Sequence, residues 1–152
     1  MTGEIPPHIR PYEERDWDKW LRMSLALFPG SGPDELRPFM RQFVERSDSQ
    51  VFIAERPDGS IAGFVEAGTR PYADGCDTSP VGYIEAWYVE PDIRRAGYGR
   101  ALLAAAEDWA RRRGYAELAS DAILGNEISR RAHMAAGFEE VGRIIQFRKP
   151  LR

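Results

Sequence analysis

Between Glu90 and Leu103 the chain reads EPDIRRAGYGRALL, which sets Arg94, Arg95 and Arg100 around Gly97 and Gly99 just ahead of an alanine-rich apolar run. At the start of a helix the first backbone N–H groups lack helical acceptors, and the aligned peptide dipoles add partial positive charge, so an anion is favoured there. Glycines leave that backbone uncovered for close approach of a phosphate, and arginines add charge and paired hydrogen bonds. The chemistry is that of a pyrophosphate cradle; a tight strand-to-helix turn with solvated arginines fits the same residues. Two other phosphate motifs are excluded. The dinucleotide fingerprint needs a third glycine where Leu102 stands, and the triphosphate loop needs Gly-Lys-Ser/Thr, which is absent.

Other reactive side chains are few. Cys76 is the one cysteine, and His8 and His133 are far apart, so neither a disulfide nor a metal cluster is expected. An imidazole has a reference pKa of about 6.5, which suits proton transfer, yet a packed or surface histidine explains His133 as well. Asp121 closes the strand-like run AELASD and falls at the same edge as the glycine turn; a turn or N-cap role fits it too. The loop RPYADGCDTSP, residues 70 to 80, offers Tyr72, Asp74 and Asp77. Carboxylates beside an aromatic face suit a polycation, although each alone reads as a solvated loop charge.

These residues need elements to position them. Runs with strand character lie at about 8–12, 51–56, 61–69, 81–89, 116–121 and 141–148. Pro57-Asp58-Gly59 predicts a tight hairpin between the second and third. Helical spacing appears in DWDKWLRMSLALF, where Trp17, Trp20, Leu21, Ser24, Leu27 and Phe28 recur, and in DELRPFMRQFVER, which Pro38 weakens. The clearest helix is GRALLAAAEDWARRRG: Leu102, Ala106, Trp109 and Ala110 share one face and Gly114 stops it. A last helix is expected from Asn126 to Ala136, ended by Gly137. Strand, helix and strand over residues 81–121 make a parallel crossover with the glycine turn inside it, and ligands gather at the C-terminal ends of such strands.

With 152 residues, 43% hydrophobic, the chain has the size of one domain. A net charge of -3 gives no broad basic field for nucleic acid, and Arg111 to Arg113 read as cations complementing a helix end. The N-terminal MTGEIPPHIRP lacks the apolar core of a secretory leader, and no run approaches the roughly 20 apolar residues of a membrane helix, so a cytoplasmic protein without a membrane partner is expected.

Tyr88-Val89-x-Pro91-x-x-Arg94-Arg95-x-Gly97-x-Gly99-x-x-Leu102 resembles the acetyl-CoA motif of the GNAT acyltransferase superfamily, and NEISRRAHMAAGF, Asn126 to Phe138, resembles its second conserved block. TSPVGYIEAWYVEPDIRRAGYGRALL and the stretch from AEDWARRRG to GFEEV are similar to the aminoglycoside 6'-N-acetyltransferases, with a resemblance running from about Asp16 to Lys149. The fold so implied is α/β (α+β): a mixed, mostly antiparallel sheet flanked by helices, with a parallel strand-helix-strand unit for the cofactor. The implied cosubstrate is acetyl-CoA, with no metal. Its pyrophosphate would lie on Arg94, Arg95, Ala96, Gly97, Tyr98, Gly99 and Arg100, and its pantetheine on the main chain of Trp87, Tyr88 and Val89 and on Asn126, which helix capping also explains.

By the same resemblance Asp121 is the active-site carboxylate. Aspartate has a reference pKa of about 3.9, far below an aliphatic ammonium, so positioning the amine and relaying its proton suits it better than acting as a strong base. His133 stands where many members have a tyrosine that protonates the coenzyme thiolate. Phe28, Tyr72, Asp77 and Glu140 would line the acceptor site with Asp121, Glu140 across a homodimer. Relatives commonly read LWP where this chain has Leu27-Phe28-Pro29, and Ser24 replaces a frequently basic position. The implied function is acetylation of the 6'-amine of aminoglycosides; another amine, such as a polyamine or a peptide N-terminus, and a non-catalytic acyl-CoA sensor are the alternatives.

Overall fold

Val51-Phe52-Ile53-Ala54 is an unbroken apolar run, the pattern of a strand covered on both faces. In the computed structural model, which describes residues 5–152, it forms the middle of β2 (Gln50–Glu55). Val51 and Ile53 enter one core, and Phe52 and Ala54 enter another. β1 (His8–Pro11), β3 (Ile61–Arg70), β4 (Val81–Val89) and β5 (Leu118–Ser120) complete a sheet in the order β1-β2-β3-β4-β5. Strands β1 to β4 pair antiparallel, and β4 pairs β5 in parallel. The expected hairpin joins β2 to β3, closed by the Arg56 N–H on the Ser60 carbonyl at 2.8 Å, with Gly59 at φ 86°.

Each sheet face has its own helices. On one, α1 (Trp17–Leu27) and α2 (Pro33–Glu45) bring Trp20, Met23 and Met40 onto Val51, Ile53, Phe64 and Tyr88. On the other, α3 (Tyr98–Arg112) brings Leu102, Leu103, Ala106, Trp109 and Ala110 onto Phe52, Val65 and Ile84. Pro33 sits in the first turn of α2, while Pro38 lies deeper and is exposed. Water can therefore take the carbonyl bond that its missing N–H forgoes, and the helix continues. A short turn at Glu14–Asp16 fastens β1 to α1: Asp16 is 2% exposed and accepts from Arg10 Nη1 and Nη2 at 2.7 and 2.8 Å and from the Glu13 N–H at 2.8 Å.

Strand β4 departs from regular pairing in two places. The register runs from Glu66↔Ala86 to Ala67↔Ile84, so Glu85 is one residue extra, a bulge that bends the strand. The parallel ladder covers only Gly82, Tyr83 and Ile84 against Leu118, Ala119 and Ser120, so Glu85 to Val89 run on without a β5 partner.

One expected element is corrected. Residues 141–148 form no strand: they have no ladder partner among the described residues, and Val141, Ile144, Ile145 and Phe147 are 61, 68, 79 and 91% exposed. β-propensity reports a side-chain pattern that fits a half-buried sheet; it does not supply a neighbouring edge. The strand expected over 116–121 is likewise shorter, 118–120, and α4 (Glu127–Ala135) follows it.

Candidate active site

Gly97 ends the approach to α3 in the left-handed region, at φ 87°, and no side chain caps the helix. A Cβ built on it meets nothing within 4 Å. Gly99 differs: a Cβ there would stand 3.4 Å from Trp87 Cζ2, and the Trp87 indole N–H donates to the Gly99 carbonyl at 3.0 Å. Arg94 Nε donates to the Val89 carbonyl at 3.1 Å and Arg100 Nη2 to the Ala135 carbonyl at 3.3 Å, tying the turn to the end of β4 and the end of α4. Arg95, at φ 66°, and Ala96 are exposed, whereas Tyr98 is buried in the core below. An uncapped helix start, an open left-handed glycine and flanking guanidinium groups together fit a pyrophosphate.

From there β4 leads to the candidate proton-transfer groups. Trp87 stands edge-on to His133 with centroids 5.4 Å apart, Tyr88 points into the core under α1, and Val89 packs on the α3 side. The main chain of all three lies beyond the β5 ladder. His133 Nδ1 is 2.7 Å from the Ser129 carbonyl, which only accepts, so Nδ1 carries the proton and Nε2 accepts from the Ser120 hydroxyl at 2.8 Å. Asp121 is exposed just past β5 and accepts from the Tyr83 hydroxyl, whose pKa is pushed well up by burial and by that carboxylate. The Tyr83 ring lies 3.5 Å under the Arg70 guanidinium, which in turn grips Glu85 through Nε and Nη2 at 2.9 and 2.8 Å. Asn126 caps α4, its Oδ1 accepting from the Ser129 N–H at 3.1 Å.

The acceptor candidates do not all converge. Phe28, 38% exposed at the end of α1, lines a cavity of about 570 Å³ beneath α1 and α2, together with Ser24, Phe39, Phe43, Glu66 and Glu85. Tyr72, Asp77 and Glu140 do not line it. Tyr72 donates to Asp74 at 2.9 Å, and the Asp77 and Thr78 N–H groups both donate to Glu117 at 2.8 Å, pinning the 70–80 loop to the approach to β5. Glu140 accepts from Arg143 at 2.6 Å and Arg130 at 3.0 Å, which hold its carboxyl below the usual carboxylate range.

Residues 17–138 match the Acetyltransferase (GNAT) family. The chain belongs to the GNAT acetyltransferase family. Among curated GNAT relatives it is 45% identical to an aminoglycoside N(6')-acetyltransferase type 1 of Klebsiella aerogenes, over 95% of this chain and 97% of that protein. It is 40% identical to one of Stenotrophomonas maltophilia, over 95% and 94%. The solved structure of aminoglycoside 6'-N-acetyltransferase AAC(6')-Ih from Acinetobacter baumannii superposes with a TM-score of 0.89 at 32% identity, covering 97% of this chain and all of that one. AAC(6')-Iy in complex with the bisubstrate analogue CoA-S-monomethyl-acetylneamine superposes at 0.88 and 34% identity, with coverage of 97% and 100%.

Within this GNAT fold, sequence reasoning passed over Glu66, Glu85 and Tyr83. The signal was present in IAGFVEAGTR and VGYIEAWYV, where one carboxylate interrupts each apolar strand. Burying such a group costs free energy unless something compensates. Burial, and then the charge of Glu85, push the Glu66 carboxyl up to about 8, with the Trp20 indole N–H acting in the opposite sense.

Proposed function

We propose that the chain transfers the acetyl group of acetyl-CoA to the 6'-amine of aminoglycosides, with residues 1–152 acting as one acetyltransferase domain. The observation that carries this reading is the uncapped, glycine-opened start of α3 beside a stretch of β4 that has left its β5 ladder. The near full-length similarity to enzymes of that name supports the choice of acceptor. Bound acetyl-CoA supplies an electrophilic thioester carbonyl and a thiolate leaving group.

The chain's residues then have separable tasks. Backbone N–H groups from Gly97 onward, with Arg94, Arg95 and Arg100, hold the pyrophosphate. The free main chain of Trp87 to Val89 orients the pantetheine as an added strand and points N–H groups at developing negative charge. Asp121, steadied by Tyr83, positions the amine and passes its proton to water, because a carboxylate is too weak a base to strip an ammonium in one step. His133, once protonated at Nε2, delivers a proton through Ser120 Oγ on the β5 side. Phe28, Tyr72, Asp77 and Glu140 border the acceptor, and Asn126 offers its amide N–H to the pantetheine.

Two further parts of the reading concern its setting. A homodimer accounts for the apolar 141–148 segment, which would gain a strand partner and cover when laid on a second copy, beginning beside Glu140. The cytosol suits a soluble thioester donor and a chain whose single cysteine needs no oxidising compartment. The test is free thiol release from acetyl-CoA with a panel of amines. Turnover with kanamycin at micromolar KM is expected. Release with polyamines or peptides alone would refute the aminoglycoside reading, and tight donor binding with no turnover would favour the sensor.

A further inference from the structure

Two carboxylates, Glu90 and Asp92, stand on the approach to the glycine turn, with Pro91 between them. Negative charge beside a diphosphate site opposes binding, and a carboxylate is a strong competing partner for a neighbouring guanidinium. Each of the two is nevertheless held by an arginine from a distant element. Glu90, whose side chain is 12% exposed, accepts from Arg22 Nη2 on α1. Asp92 accepts from Arg56 Nη1 and Nη2 at 2.6 and 2.9 Å, from the turn between β2 and β3, and this fork holds its carboxyl below the usual carboxylate range. The turn's own cations bind no carboxylate among the described residues. Arg94 and Arg100 donate to the main-chain carbonyls of Val89 and Ala135, and Arg95 is exposed. Yet a carboxylate stands close to Arg94: the Tyr88 hydroxyl donates to Glu90 at 3.4 Å and the Arg94 guanidinium lies 6.0 Å from the Tyr88 ring centroid, so Glu90 and Arg94 flank one side chain.

We propose that Arg22 and Arg56 are positioning residues for the donor. From outside the turn they occupy Glu90 and Asp92, so that Arg94, Arg95 and Arg100 stay open to the pyrophosphate and no uncompensated negative charge faces it. Stability does not account for the pairs: the Arg22 and Asp92 side chains are 51 and 63% exposed, and ion pairs that open to water add little to it. The inference rests on the reading of the α3 start as the pyrophosphate site.

The test is calorimetric titration of CoA, which needs no turnover, at about 50 and about 500 mM salt, between which the Debye length falls from roughly 14 to roughly 4 Å. Arg56→Ala is expected to weaken CoA about fivefold at the lower salt, the scale of one exposed charge, and the loss should narrow at the higher. Asp92→Asn should bind CoA as well as wild type or better, and adding it to Arg56→Ala should restore wild-type affinity. Arg22→Ala with Glu90→Gln should repeat the pattern. Where Arg22→Ala does not fold, because Glu90 is left largely buried and unpaired, the Arg56 cycle decides alone. Dephospho-CoA should show the same losses, because it keeps the pyrophosphate; losses confined to CoA itself would overturn the proposal. A mechanical tether predicts that Asp92→Asn weakens CoA as much as Arg56→Ala does and that the double variant recovers nothing. That outcome would overturn the proposal, as would a direct phosphate contact by Arg56, seen as a loss that Asp92→Asn does not repair. Gly97→Ala keeps the two readings apart. Where it weakens CoA, a failed rescue refutes the screening alone; CoA affinity indifferent to Gly97→Ala would refute the pyrophosphate site, and the screening with it.

Discussion

Gly97 and Gly99 stand two residues apart and answer to different constraints. Gly97 needs its left-handed φ of 87° and has open space where a side chain would go, whereas Gly99 is small because Trp87 packs on it. Gly97→Ala should cost about 1 kcal/mol in thermal unfolding from the φ alone and weaken acetyl-CoA binding about tenfold by covering the helix start. Unaltered donor affinity in a folded variant would remove Gly97 from the cradle. Asp121→Asn is expected to lower turnover by about two orders of magnitude with acetyl-CoA affinity preserved, which steady-state kinetics and donor titration separate. Glu66 gives a stability test of its own. Its folded pKa, about 8, lies above its unfolded one, so between those values the native state binds the extra proton and stability falls as pH rises. Relative to Glu66→Gln, the wild type should lose stability from about pH 5 to 8, and parallel unfolding curves across that window would contradict the assignment. The strand-to-helix turn at Gly97 was legible in the sequence because its glycines and arginines are neighbours in the chain. The cavity was not, since Ser24, Glu66 and Glu85 lie on three elements whose meeting only the fold determines.

At the scale of elements, β4 carries most of the functional geometry. Gly63 lets it approach β3 closely: a Cβ there would fall 2.4 Å from the Tyr88 carbonyl oxygen. Gly63→Ala should therefore cost about 1–3 kcal/mol and disturb the Tyr88–Val89 main chain, read as lower melting temperature together with weaker donor binding. The hairpin, α1, α3 and the parallel crossover were predictable from period and turn residues, because each pattern repeats within the element. The bulge at Glu85 was not, because one inserted residue leaves the apolar composition of VGYIEAWYV unchanged and is defined only against β3. The 141–148 segment shows the reverse case, a strand pattern that pairs with none of the described residues.

For the whole molecule, that segment makes an association prediction. Ile145→Asp with Phe147→Asp should convert a particle of twice 17.2 kDa to one of 17.2 kDa in light scattering. A wild-type monomer at micromolar concentration would rule out the strand-sharing dimer. The divided ladder of β4 bears on kinetics as well. The α3 helix packs on one face of that strand and the Ser24–Glu66 cavity lies on the face covered by α1 and α2. With the donor proposed at the α3 turn and the acceptor beside Phe28, binding in either order is the expectation. Initial-velocity plots should intersect, and each product should inhibit in the pattern of random addition; a compulsory order would mean that one ligand builds the other's site.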